Sequence, residues 1–192
     1  MTLSTPNLLT DPGVLYYAIL GSTLPANTVV GGVYTDAWPA AWLSPGMTAD
    51  GTEFHASTTA TAITAAESVD PIAYRTTDRS TTLQFTLLSY TATNLSLALN
   101  GGPKAVTGTG ATTSTQVSPP APGQEIRYMW GWESVNKDVR LVGYQGFNSG
   151  DLSVMLKKAP STASLAFTLN LELPPGGPTR PYDWFFAGAT RA

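Results

Sequence analysis

The chain contains no cysteine. That excludes a disulfide framework, a cysteine-ligated metal or iron–sulfur site and a thiol nucleophile in one step, so stability has to come from packing or assembly. Charge is scarce too: only 12% of residues are Asp, Glu, Lys or Arg, about half the roughly 25% usual for soluble domains. The first basic residue is Arg75, and residues 1–74 carry six acids and no base. This argues against duplex DNA binding through a basic face, because phosphate affinity scales with the number of Lys and Arg contacts. It also leaves no basic leader region, and no apolar run approaches the roughly 18 residues of a membrane helix, so neither a signal peptide nor a transmembrane segment is expected.

What fills the deficit is hydroxyl. The 192 residues include 28 Thr and 15 Ser beside 18 Gly and 15 Pro, a composition of strands and turns. The hydrophobic share of 42% suffices for a core, and the length suits one domain with an arm better than two cores. The net charge of −3 hides an acidic N-terminal part and a basic remainder, which could attract each other between copies.

Residues 1–12 hold Pro6, Pro12 and the leucines Leu3, Leu8 and Leu9 without a period; we read an extended arm that contacts a neighbouring subunit, since those leucines have no local partner set. Gly13–Gly21 reads as a short buried strand. Asp36 can cap a single helical turn placing Trp38 and Trp42 on one face. Glu53–Ile63 alternates, with Phe54, Ala56, Ala60 and Ala62 turned inward and Glu53, His55, Ser57, Thr59 and Thr61 on a polar face. Ile72–Tyr90 is a longer β stretch with Leu83, Phe85 and Leu87 inward. The period then changes: Leu95, Ala98 and Leu99 fit one helical face, capped by Thr93 and ended by Asn100-Gly101-Gly102. Pro103–Gly123 is a Thr- and Gly-rich loop with only Val106 and Val117 as large apolar residues, expected at the surface or in a subunit contact. Strands follow at Glu125–Glu133, Asp138–Gly146, Leu152–Lys157 and Ser164–Leu173, the last with the cleanest alternation, and Tyr182–Ala187 forms an aromatic edge. The fold class is mainly β, a sandwich or barrel-like arrangement with one short α-helix packed on the sheets.

Chemistry finds little support. His55 is the sole histidine, so any catalytic relay or histidine metal site would have to be built around it, and a lone histidine on a polar strand face is more often solvated or interfacial. Gly108-Thr109-Gly110 lacks a third glycine, and no phosphate-cradling Gly-Lys-Ser/Thr occurs. Glu53, Glu125, Glu133, Asp138 and Glu172 could include a glycosidase pair only at the right carboxylate separation. Tyr128, Trp130 and Trp132 share one parity; such a row is either a sugar-stacking platform or, more often, core or interface. Asn94-Leu95-Ser96 is a glycosylation triplet placed in the expected helix, and is discounted. No catalytic, cofactor-binding or metal-ligating residue is assigned.

The run AAESVDPIAYRTTDRSTTLQFTLLSYTATNLSLALNGG, Ala66 to Gly102, resembles the central segment of major tail tube proteins of long, non-contractile-tailed phages, especially those of actinobacterial hosts. Ser68-Val69-Asp70-Pro71-Ile72, Thr77-Asp78-Arg79, Phe85-Thr86-Leu87 and Gly101-Gly102 stand in the positions of that family's pattern. Weaker matches flank it at Val14 to Pro25, at Asp36-Ala37-Trp38 before Ala49-Asp50-Gly51, and at Tyr182-Asp183-Trp184. The segment around Glu53 is poorer in acids, the stretch from Trp38 to Pro45 is longer, and the 103–123 loop is richer in Thr than the family's. The resemblance implies one tail tube domain over residues 1–192 that stacks with itself in homohexameric rings, assembled in the host cytoplasm into a virion tail. Its implied partners are a tape-measure protein, tail terminator and baseplate proteins, and genomic DNA that passes without specific binding; no membrane, cofactor or catalysis is implied. If about 24 strands at roughly 4.8 Å spacing and 40° tilt closed one ring, its backbone diameter would be about 48 Å. On that reading Glu53, His55, Ser57, Thr59 and Thr61 line the lumen, because that parity bears no positive charge and its Ser and Thr side chains are short. The alternatives are a carbohydrate-binding or adhesin-type β-sandwich and, more remotely, a hydrolase.

Overall fold

The computed structural model describes residues 12–67, 69–152, 154 and 163–188; Leu3, Leu8 and Leu9 lie outside them. The chain is mainly β. In order come β1 (Gly13–Ile19), β2 (Val29–Val30), β3 (Val33–Tyr34), β4 (Thr48–Ile63), β5 (Ala73–Leu87), α1 (Ala92–Ala98), β6 (Lys104–Thr107), β7 (Ser114–Val117), β8 (Tyr128–Ser134), β9 (Val139–Asn148), β10 (Leu165–Leu171) and β11 (Tyr182–Phe186). The main antiparallel sheet runs β1-β8-β9-β10-β5-β4, and β11 also pairs with β9.

The branching at β9 makes two layers. Residues 139–143 of β9 pair with β11, whereas residues 146–148 pair with β10. The sheet therefore bends at the middle of β9, and β10-β5-β4 folds over β1-β8-β9-β11. A bulge causes the bend: Tyr128 pairs with Gly146 but Trp130 with Gly143, one residue too many on β9. Between the layers lie Leu15, Leu83, Phe85, Trp130, Leu141, Phe167 and Leu169. Trp130, Phe85 and Phe167 form the aromatic centre, with Phe85 stacked on Phe167 at 4.9 Å between centroids. Phe54 closes the far side, edge-on to Tyr182 at 4.9 Å and to Trp184 at 5.3 Å.

A second, smaller core covers the outer face of β1-β8-β9: Ala18, Met129, Val142 and Tyr144 under Trp42, with Leu24 and Trp38 alongside. Residues 36–42 do not form the expected helical turn. Trp38 instead stacks on Tyr16 at 4.6 Å and meets Trp42 edge-on, and its ring lies where a side chain on Gly131 would be, 2.3 Å from an added Cβ. Asp36 accepts from the backbone N–H groups of Asn27 and Thr28 and pairs with Arg140, so it is committed to tertiary contacts. Because both faces of β8 and β9 are covered, these strands are buried almost throughout.

Helix α1 docks Leu97 and Ala98 on the core. Its cap is Thr91, whose hydroxyl accepts from the Asn94 N–H, two residues before the expected Thr93. Asn100 and Gly101, both at positive φ, end it as expected. Residues 103–123 are not structureless: β6 and β7 pair as a small hairpin. Of the strand expected at Leu152–Lys157, Val154 makes a single bridge to Leu165, Leu152 is irregular, and residues 153 and 155–157 lie outside the described residues.

Candidate assembly surfaces

Strands β4 and β5 outrun the body. Their register extends from Thr48 opposite Leu87 to Ile63 opposite Ala73, but the core supports only the end near Phe54 and Leu83. Beyond the Ala56–Thr81 pair the residues of both strands are exposed on both faces, over about seven residues per strand, or roughly 23 Å. Ala56 faces the body only across an open groove bordered by Leu171, Pro181 and Tyr182, and Ala60 and Ala62 beyond it are exposed, so the alanine parity is not buried in the protomer as its alternation with polar residues suggested. Methyl groups alone bury too little area to hold a ribbon against a core. The tip is apolar as well, with Ile63, Ile72 and Tyr74 largely exposed.

The lumen candidates fall on the opposite face of this ribbon. Glu53, His55, Ser57, Thr59 and Thr61 are all exposed and pair with Gln84, Thr82, Ser80, Asp78 and Arg75 in turn. The same face continues over the body through Thr86 on β5 and Ala166, Thr168 and Asn170 on β10. Most of its side chains are short, Glu53 and Asp78 are acids on the ribbon part, and a shallow depression of about 500 Å³ is bordered by Asp50, Glu53, Gln84 and Thr168. Two features escaped the sequence reading. Arg75, opposite Thr61, brings a positive charge onto a face that β4 alone leaves without one. The β9 bulge then turns Gln145 and Phe147 onto this side, where Gln145 donates to Glu172 at 2.7 Å, Arg127 donates to Glu172 at 3.3 Å and lies over the Phe147 ring. A strict two-residue period could not show the latter.

His55 and Glu53 approach to 3.1 Å with both side chains more than half exposed. Glu53 borders the shallow depression together with Asp50, whereas His55 does not, so the imidazole stands in open solvent outside it. Among the described residues, no group of three or more His, Asp or Glu is placed to hold a metal ion, and no helix is long and apolar enough to cross a membrane.

Trp130 and Trp132 are 2% and 9% exposed, so that row is core and not a sugar platform. Val106 is exposed and Val117 half-buried on the β6–β7 hairpin. Arg140, fully buried, donates to Glu133 at 2.7 Å, to Asp36 Oδ2 at 2.9 Å and to Asn27 Oδ1 at 3.1 Å, and its guanidinium lies over the Tyr34 ring at 4.4 Å. Burial pushes the Asp36 carboxyl up, but the Arg140 hydrogen bond and the Asn27 N–H outweigh it and hold the group below its ordinary value. The cluster is a clamp for residues 27–38 and offers nothing to solvent.

At the other end of β1, the turn after Ile19 and the Pro-rich segment 174–178 enclose an apolar groove of about 410 Å³. The segment is anchored by the Tyr144 N–H bond to the Pro181 carbonyl and by the Tyr144 hydroxyl bond to Asp183. Burial first, then that carboxylate, push the Tyr144 hydroxyl up to about 12, so it remains a donor at neutral pH. No protein-family model matches the chain, and no curated protein matches it.

Proposed function

We propose that this chain is a structural subunit that assembles with copies of itself into stacked rings, the tail tube of a long-tailed phage through which DNA is delivered. The observation that carries the reading is the β4–β5 ribbon. A two-stranded ribbon without a packed face is at best marginally stable in water. An exposed β4 edge is moreover a template for pairing with another chain. Such an element makes physical sense when further copies cover it.

The polar face supports the tubular form of that assembly. The C-terminal part of β9, β10, β5 and β4 present one continuous four-strand surface on which short hydroxyl and amide side chains are interspersed with Glu53, His55, Asp78, Arg75 and Phe147. Side by side in a closed ring, these strands would lose their edges and give a bore with few cations to bind passing phosphates. The sequence resemblance over Ala66–Gly102 supports the same reading, since it spans β5, which is one of the two ribbon strands, and α1. The burial of Trp130 and Trp132 removes the feature on which the sugar-binding alternative rested. Negative-stain microscopy of the purified chain over a range of concentrations tests the proposal: hollow rings or tubes are expected, and a monomer at every concentration contradicts it.

A further inference from the structure

We infer that the groove under the root of the ribbon, bordered by Arg79 and Arg180, receives the acidic turn at the tip of a second copy's ribbon, residues 64–72. This contact rests on the self-assembly proposed above and names the two surfaces that meet.

The groove opens where the ribbon leaves the body. Ala56, Thr58, Arg79 and Thr81 form one wall, and Leu171, Leu173, Pro181 and Tyr182 the other, around a volume of about 580 Å³. Its charges do not cancel. Glu172 at the border already accepts from Arg127 and Gln145, and Arg180 is paired with Asp183. Arg79 forms no ion pair among the described residues, so the unmatched charge of the groove is positive. Beside it Leu173 is 61% exposed.

The turn carries the complementary chemistry. Between Ile63 and Ala73 the chain holds Glu67 and Asp70 and no base, and both acids are exposed. Val69 and Ile72 next to them are 103% and 62% exposed. The acids answer the unpaired guanidinium, and the aliphatic side chains answer Leu173, Pro181 and Tyr182. Opposite charges placed in this way steer encounter and fix register. The turn also ends an overhang of roughly 23 Å, which puts it within reach of a neighbour. Its own groove is closed to it, because five register pairs of one continuous ladder, roughly 17 Å, separate Ile63 from the Thr58–Arg79 pair. Tip and root are different patches of one chain, so their contact repeats from copy to copy.

Charge exchange tests the contact. Arg79→Glu and Glu67→Lys are made in the full chain, alone and together, and the concentration at which rings form is read by sedimentation and negative-stain microscopy. Both side chains are exposed, so monomer melting should stay unchanged, which separates a lost contact from a lost fold. Each single variant should need roughly tenfold more protein to assemble, and the double variant should recover most of that loss. The absence of native cysteine allows a second readout. Protein carrying only Val69→Cys, assembled with protein carrying only Leu173→Cys and oxidised, should crosslink well above a control with Val30→Cys in place of Leu173→Cys. A Val69→Cys/Leu173→Cys double variant diluted below assembly should give no intramolecular crosslink. Rings that form without the crosslink, or a charge exchange that restores nothing, overturn the contact and leave the assembly standing. An intact chain that never assembles overturns both.

Discussion

Glu133 on β8 and Arg140 on β9 face each other across the strand pair and close an ion pair at 2.7 Å with the arginine fully buried. Asp36 completes the arrangement from the outer segment. Arg140→Ala strands two carboxylates against a low-dielectric wall, and breaking a buried pair in this way costs roughly 3–5 kcal/mol. Denaturant unfolding should show that loss. The double variant Arg140→Met/Glu133→Leu should recover much of it, because a replaced pair leaves fewer charges uncompensated.

The same cluster sets an acid limit. Asp36 is held below its ordinary value in the folded chain, so its contribution is complete above the unfolded carboxyl value of about 4 and is lost as pH falls through the lower folded one. Stability measured from pH 6 downward should begin to fall below about pH 4. Asp36→Asn should be less stable at neutral pH and less sensitive over that window; an unchanged acid slope would show that Asp36 is not the titrating group.

Much of the core is legible in the sequence. The Ser164–Leu173 alternation placed Leu165, Phe167, Leu169 and Leu171 inward, as found, because large aliphatic residues at period two leave no other face to bury. Trp38 and Trp42 misled for a related reason: spacing of four suggests a helix, but Pro39 and the tertiary pull of Tyr16 and Gly131 gave their rings a contact that needs none. The alanines of β4 misled because alternation alone does not distinguish a buried face from an uncovered one; the absence of any large side chain on that parity after Phe54 was the usable sign. The β6–β7 hairpin was missed because two four-residue strands with one valine each carry almost no pattern.

Replacing Gly108–Thr113, the connection between β6 and β7, by a two-residue Asn-Gly turn should leave the protomer folded. The whole connection is exposed, and shortening a surface loop changes closure entropy by less than about 1 kcal/mol. Thermal melting should hardly move, whereas ring stacking or the outer contour of assemblies in micrographs should change. A collapse of folding would show that the hairpin is part of the core.

Lys at positions 57 and 59 probes the bore. Both side chains are exposed on the polar ribbon face, so Ser57→Lys/Thr59→Lys should leave tubes intact. Each ring would add sites for phosphate, and phosphate contacts weaken steeply with salt. DNA ejection from particles carrying the variant should be slowed at low salt and approach the unmodified rate at high salt. An equal rate at both salts would place this face on the outside.

The central claim is that the bare ribbon exists to be covered by further copies. The most direct measurement compares the intact chain with one in which residues 60–77 are replaced by Asn-Gly, joining Thr59 to Asp78 where the two strands already pair. Because the described residues among those removed are exposed apart from the half-buried Ala65, the shortened chain should unfold within about 1 kcal/mol of the original. Sedimentation and negative-stain microscopy of the two should then show hollow rings and tubes for the intact chain and monomers for the shortened one. Tubes from the shortened chain, or monomers from both, would contradict the account.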